Sequence, residues 1–109
     1  MNIKSFIKID KLIKSLNNFN SIKPFPYVVI DNFLNLKVAK KIEKNFPNID
    51  NKNLWSYKNY CEIKKATDNW NLFPPEAYQL LSVLNSQIFL DTIKKKIKIK
   101  NLYADYGLN

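Results

Sequence analysis

Residues 24–34 read PFPYVVIDNFL, and the interpretation of the whole chain depends on this stretch. The two prolines set an extended entry, because each fixes its own φ and disfavours the helical region for the residue before it. Val28, Val29 and Ile30 are β-branched, and such side chains favour a strand over a helix. A helical pattern begins directly after the stretch. The sequence therefore predicts a buried strand over residues 27–31 that leads straight into a helix.

Apolar residues recur at three- and four-residue spacing on both sides of this stretch, which is the pattern of amphipathic helices. The first predicted helix covers residues 3–17, and Asn35 can cap a second that runs to about Phe46. The motif Pro-Pro-Glu at residues 74–76 opens a third helix, and Ser86 can cap a fourth. The inward residues predicted for the four helices are, in order, Ile9, Leu12, Ile13 and Leu16; Val38, Ala39, Ile42 and Phe46; Ala77, Leu81, Leu84 and Ile88; and Phe89, Leu90, Ile93 and Ile97.

Two further segments are predicted to be extended. Residues 54–66 alternate apolar and polar side chains, which indicates short strands or an irregular extended segment. Residues 102–108 are predicted to form a last strand, and Trp55 and Trp70 are predicted to anchor long loops onto the helices. The sequence thus predicts one partial α+β domain over residues 1–109, mostly helical with two or three strands. Its exposed strand edges would allow copies of the chain to associate with one another.

The basic charge of the chain raises a second interpretation. The 109 residues carry a net charge of +9, in which all 18 basic residues are lysine and neither arginine nor histidine occurs. Charge of this sign is typical of nucleic-acid binding, and residues 94–100, KKKIKIK, are the strongest candidate for phosphate contacts. The abundance of Lys, Asn, Ile, Phe and Tyr also follows from AT-rich codons, without any partner. The composition disfavours nucleic acid as the partner, and a small lysine-rich module for nucleic acid or a membrane surface stays the alternative.

Several classes of site are excluded by residues that the chain lacks. Without histidine, neither a Ser-His nor a Cys-His nucleophile pair can be built. One cysteine, Cys61, cannot form an intramolecular disulfide or a structural zinc site of the usual kinds. One glycine, Gly107, excludes a P-loop or a dinucleotide fingerprint. Lysines interrupt the N-terminal region, and no apolar run approaches the roughly 20 residues of a membrane span. We therefore expect a cytoplasmic protein with no membrane partner.

These segments together resemble the N-terminal region of the 2-oxoglutarate- and Fe(II)-dependent oxygenases, in particular the prolyl-hydroxylase-like branch. The PFPYVVIDNFL stretch is similar to that family's leading Pro-Phe-hydrophobic-Asp-x-Phe-Leu strand and helix. Leu84, Ser86 and Phe89 match a Leu-x-Ser-x-x-Phe helix, and residues 102–109 match the strand that follows it. The resemblance covers residues 22–109 and implies that these elements lead into a double-stranded β-helix, or jelly-roll barrel, that is missing from this chain.

The resemblance also implies a chemistry that this chain cannot perform alone. Such enzymes hold Fe(II) with two histidines and one carboxylate, and an arginine commonly pairs with the distal carboxylate of 2-oxoglutarate. The chain has neither residue type, and lysine does not reproduce the bidentate fork of arginine. We therefore expect no catalytic or metal-ligating residue, no bound Fe(II) or 2-oxoglutarate, and no activity from this chain. The full enzyme would hydroxylate a small-molecule or peptidyl substrate. Either the gene continues, or it is a truncated or degenerate copy.

Four residues come closest to a site in this comparison. In the family, the strand before the metal motif borders the cosubstrate pocket, and a tyrosine there often contacts 2-oxoglutarate. Tyr106 is the nearest match and Tyr103 the next, so both are candidate cofactor-binding residues that would border the pocket. The alternative is that both pack on a sheet face. Lys64 and Lys65 lie where related enzymes can approach substrate, and on their own they are predicted to be solvated.

Overall fold

In residues 2–48, 50, 52 and 54–105, which the computed structural model describes, the chain forms four α-helices and one two-stranded sheet. These elements confirm the predicted α+β class, and no jelly-roll barrel is formed by the described residues. Three short 3-10 turns accompany them: Ile3–Ser5 precedes the first α-helix, and Phe19–Ser21 and Trp70–Leu72 lie between longer elements. The helices are α1 (Ile9–Ser15), α2 (Leu36–Lys44), α3 (Pro75–Leu84) and α4 (Gln87–Ile97), and the strands are β1 (Trp55–Lys58) and β2 (Ile63–Ala66).

The hydrophobic core lies where α1, α3 and α4 meet. The apolar faces predicted for α1 and α4 are confirmed, because the predicted inward residues of both helices lie in this core or pack against it. Residues three or four apart share one face of a helix. The buried side chains are Ile7, Ile9, Leu12, Leu16, Val83 and Phe89, and the partly buried Ile13, Leu90, Ile93 and Ile97 pack around them.

The helix predicted over residues 3–17 is divided, because residues 6–8 pair with residues 33–35 instead. Ile7 and Leu34 form an isolated antiparallel bridge. The bridge lies directly before two helices, since α1 begins two residues after Ile7 and α2 begins two residues after Leu34. The flanking hydrogen bonds, both 2.9 Å long, run from the Lys8 N–H to the Phe33 carbonyl and from the Asn35 N–H to the Phe6 carbonyl.

The buried strand predicted over residues 27–31 is wrong. The structure assigns no strand to this stretch, and Val29 is 75% exposed. β-branched residues favour extended backbone, but a strand also needs a neighbour, and no described residue pairs with residues 24–30. Four large apolar side chains of this segment, Phe25, Tyr27, Val28 and Val29, consequently remain exposed.

The core face of α3 is also displaced from the predicted one. Val83, which was not among the predicted inward residues, is 1% exposed, whereas the predicted Leu81 is 40% exposed. The helix carries two neighbouring apolar rows, and the spacing alone does not say which one faces the core. The row with Val83 and Leu84 faces α1 and α4, and the row with Ala77 and Leu81 lines a cleft. Ile88, predicted to extend the α3 stripe, is exposed on α4.

At the end of α2, Phe46 was predicted to point inward and is instead 73% exposed. The helix ends at Lys44, with Asn45 as the residue that closes it, so Phe46 lies beyond the last turn. Asn35 occupies the N-cap position as predicted, but its side chain does not cap the helix. Its Nδ2 instead donates to the Lys4 carbonyl at 2.8 Å, which ties the start of α2 to the N-terminal segment.

Residues 54–66 fold as short strands, which settles the alternative left open by the sequence. β1 and β2 pair antiparallel, with Trp55 opposite Ala66 and Lys58 opposite Ile63. The connecting turn is closed by the Asn59 N–H, which donates to the Glu62 carbonyl at 2.8 Å. The hairpin places consecutive β2 side chains on opposite faces.

The last strand predicted, over residues 102–108, is not formed by residues 102–105, and residues 106–108 lie outside the described part. The preceding helix does match its prediction, since Ser86 Oγ accepts a hydrogen bond from the Phe89 N–H at 3.3 Å. None of the described helices is both long and apolar enough to cross a membrane.

Candidate functional site

The two tyrosines predicted to border a cosubstrate pocket do not form a site in the described structure. Tyr106 lies outside the described residues. Tyr103 is 68% exposed, and its ring centroid is 5.5 Å from the Lys94 Nζ, a cation–π contact on the surface. Tyr103 lines neither of the two cavities described below. The contact fixes Tyr103 to the end of α4 rather than to a pocket wall.

The first cavity, of about 390 Å³, lies between α3 and the C-terminal segment, and several of its polar groups already have partners within the chain. Asn85 bonds to both backbone groups of Asp105, and Gln87 Oε1 accepts from the Ala104 N–H at 3.3 Å. Ser82 Oγ donates to the Tyr78 carbonyl at 2.8 Å. A ligand would have to displace these bonds, so the polar lining serves to hold the chain together.

The second cavity is an apolar cleft of about 450 Å³ between the end of α2, the hairpin and α3. Its volume is within the range of small-molecule sites, about 300–1,000 Å³. We call it the α2–α3 cleft. The cleft is lined by Ile42, Phe46, Pro47, Asn48, Leu54, Lys65, Ala66, Thr67, Leu72, Phe73, Pro74, Ala77 and Leu81.

One wall of the α2–α3 cleft is held in place by aromatic packing behind it. The Trp70 ring stacks on Phe73 at 5.5 Å between centroids and meets Tyr78 of α3 edge-on at 5.4 Å. Such offset and edge contacts are favourable arrangements for aromatic rings. The anchoring role predicted for Trp70 is thereby confirmed. This packing of Trp70 positions the neighbouring Leu72 and Phe73 so that they line the cleft together with hairpin residues.

Lys65 is the charged residue among those that line the α2–α3 cleft. It is half-buried, and its Nζ has no ion pair or hydrogen bond with any described residue. The preceding Lys64 is exposed, with its Nζ 3.2 Å from Glu62 Oε1. The solvated position predicted for these lysines thus describes Lys64, whereas Lys65 is half-buried and lines the cleft.

The sequence reasoning did not find this cleft, although it named several of its residues. Phe46, Ala77 and Leu81 were assigned to a core because they are apolar and helically spaced. The signal that could have revealed the cleft is the presence of two apolar rows on α3, which require two separate partners.

The residues of this chain do not fit the iron site of the oxygenase family that its motifs resemble. The sequence has no histidine for the two-histidine, one-carboxylate arrangement that such iron centres use. Within the described part of the chain, no three His, Cys, Asp or Glu side chains come together in a metal-binding group.

No protein-family model, curated protein or solved structure matches this chain. The functional assignment therefore depends on the geometry of the chain itself and on the motifs quoted above.

Proposed function

We propose that this chain is the helical N-terminal region of a 2-oxoglutarate- and Fe(II)-dependent oxygenase, whose metal and cosubstrate ligands belong to polypeptide outside this sequence. The bound iron and 2-oxoglutarate would supply the O₂ activation for hydroxylation of a side chain or small molecule. The role of this chain would be to support the barrel, because its own residues provide no histidine pair.

The observation that best supports this proposal is the exposure of the segment 24–30. Val29 is 75% exposed and Phe25 64%, although the segment has the composition of a buried strand. A cluster of exposed apolar side chains is typical of a surface that another element covers. In an oxygenase of this family the same stretch would pair within a sheet.

The Leu-x-Ser-x-x-Phe motif gives a second line of support. Ser86 caps α4 and Phe89 is buried in the core, so two motif residues position the helix. Residues 104 and 105 then run back beside the start of that helix, held by Asn85 and Gln87. This order of helix and returning segment is the order that the resemblance implies.

Sequencing the transcript beyond codon 109 tests the proposal. An in-frame or frameshifted continuation that encodes a glycine-rich stretch, a His-x-Asp pair and a later His and Arg is the expected result. A stop codon followed by no such remnant would remove the oxygenase assignment. Titration of the purified chain with Mn(II) and 2-oxoglutarate should give no binding heat, and saturable binding would contradict the supporting role.

The basic end of α4 favours a second candidate, binding to an anionic surface. Lys94, Lys95 and Lys96 occupy the last turn of α4, and Lys98 and Lys100 follow. Lys94 lies over Tyr103, and Lys96 Nζ donates to Asn17 Oδ1 at 3.0 Å, so two of these cations already have partners within the chain. Fluorescence anisotropy with a single-stranded oligonucleotide and co-sedimentation with anionic vesicles separate the two kinds of surface. Absence of binding at low salt would reject this candidate, and a steep loss at moderate salt would support it.

A further inference from the structure

We propose that the α2–α3 cleft binds a small amphiphile with one alkyl tail and one anionic head, in which the head pairs with Lys65. The proposal does not rest on the proposed oxygenase role, because no residue of the cleft lies in the PFPYVVIDNFL stretch, in the Leu-x-Ser-x-x-Phe helix motif or in residues 102–109.

The lining of the cleft selects for an alkyl tail. Ile42, Leu72 and Leu81 contribute aliphatic surface, and Phe46 and Phe73 contribute rings. Phe46 and Leu81 remain exposed in the described structure, so apolar area is still accessible for burial by a ligand. Removal of such area from water favours binding roughly in proportion to the area that is covered.

The polar groups of the cleft disfavour a peptide as its occupant. Thr67 Oγ1 already accepts a hydrogen bond from the Asn69 N–H at 3.0 Å, and Asn48 Oδ1 accepts one from the Asp50 N–H at 2.9 Å. The backbone N–H and C=O groups of a peptide would therefore find few partners in the cleft, and buried unpaired polar groups are costly. An alkyl tail has no such groups to satisfy.

Charge complementarity determines the head group. The described residues that line the cleft include no Asp or Glu, so Lys65 contributes an unbalanced positive charge. Its long apolar stem can lie along the cleft wall while the ammonium group stays at the opening. A carboxylate, sulfate or phosphate head would form a charge-assisted hydrogen bond with that ammonium group. The net charge of +9 also attracts anions over cations.

The test uses the full chain and isothermal titration with dodecanoate below its micelle concentration, with dodecyl sulfate as a second anion and dodecyltrimethylammonium as the cationic control. We expect one dodecanoate per chain and shifts of the Ala77 and Leu81 methyl resonances. The Lys65→Gln variant should bind dodecanoate about tenfold more weakly, as expected for the loss of one charge-assisted pairing.

Two further variants keep the result interpretable. Lys64→Gln removes the same charge from the neighbouring residue of β2 and should leave dodecanoate binding unchanged. Ala77→Leu keeps a good helix former and adds bulk to the cleft wall, so it should weaken dodecanoate binding while the amide spectrum stays dispersed.

Four outcomes would overturn the proposal. The first is that dodecanoate gives no saturable binding to the unaltered chain, and the second is that the cation binds as tightly as the anions. Equal weakening by Lys64→Gln and Lys65→Gln would show that only the overall charge matters. If the Ala77 and Leu81 methyl resonances shift with protein concentration alone, the occupant of the cleft is a second copy of the chain.

Discussion

The side-chain amide of Asn85 bonds to both backbone groups of Asp105. Asn85 Oδ1 accepts from the Asp105 N–H at 2.9 Å, and Asn85 Nδ2 donates to the Asp105 carbonyl. One amide side chain thus makes the pair of hydrogen bonds that a neighbouring strand residue would make to the same backbone. The residue that ends α3 therefore holds the C-terminal segment where the sequence predicted a strand.

Replacement of Asn85 by alanine should release this segment. Two hydrogen bonds at a half-buried position are lost, so we expect the free energy of unfolding to fall by about 1–2 kcal/mol. Amide hydrogen exchange at Asp105 should become faster, while exchange within α1 changes only through global stability. Asn101→Ala, in the same segment, is the control, because among the described residues Asn101 only accepts a 3.5 Å contact from the Tyr103 hydroxyl. Unchanged exchange at Asp105 in Asn85→Ala would contradict this role.

The assignment of the two apolar rows on α3 predicts unequal costs for two truncations. Val83→Ala leaves a cavity in the core and should lower the free energy of unfolding by about 2 kcal/mol. Leu81→Ala removes more atoms, but from a side chain that is 40% exposed in the cleft wall. We expect it to cost less than Val83→Ala, as measured by urea denaturation. A larger loss of unfolding free energy for Leu81→Ala than for Val83→Ala would indicate that the face predicted from the sequence, which includes Leu81, is the buried one.

The helix cap at Ser86 gives a third prediction. Ser86 Oγ accepts from the Phe89 N–H at 3.3 Å and donates to the Val83 carbonyl at 2.6 Å, so it joins α3 to α4. Ser86→Ala should lower the free energy of unfolding by about 1 kcal/mol, the usual cost of an N-cap lost to alanine. Ser82→Ala is the matched control, because in the described part of the chain the Ser82 hydroxyl bonds only to the Tyr78 carbonyl of the same helix. Equal effects of the two variants would show that the cap adds nothing specific.

The faces of α1 and α4 could be predicted from the sequence because each has one apolar row. Residues such as Leu12 and Phe89 are buried where the three- and four-residue spacing places them. The spacing did not predict the buried face of α3, because this helix has two apolar rows and either of them could face the core. Which row is buried depends on the position of α1, and local periodicity contains no information about that position.

The absence of a strand over residues 27–31 and the presence of the α2–α3 cleft could not be predicted for a related reason. A strand depends on a partner that is distant in sequence, and β-branched residues such as Val29 supply only the preference. The cleft arises where the hairpin lies near Phe46, just beyond the end of α2, and Leu81 of α3. The sequence predicted Lys64 and Lys65 alike to be solvated, because nothing in the local pattern shows that Lys65 lines a cavity.

The exposed segment 24–30 should make the isolated chain self-associate. Its apolar side chains and unpaired backbone are the features through which strand edges pair between molecules, and Val29 is more exposed than Phe25, Tyr27 or Val28. Sedimentation velocity over a range of protein concentrations should show a rising weight-average mass. Val29→Lys should reduce this association without lowering the free energy of unfolding, because a charge on such an edge opposes pairing. Leu36→Lys, which places the same charge at an exposed apolar residue of α2, should leave association unchanged. A chain that stays monomeric at all concentrations, or an equal effect of the two lysine variants, would show that this segment does not mediate association.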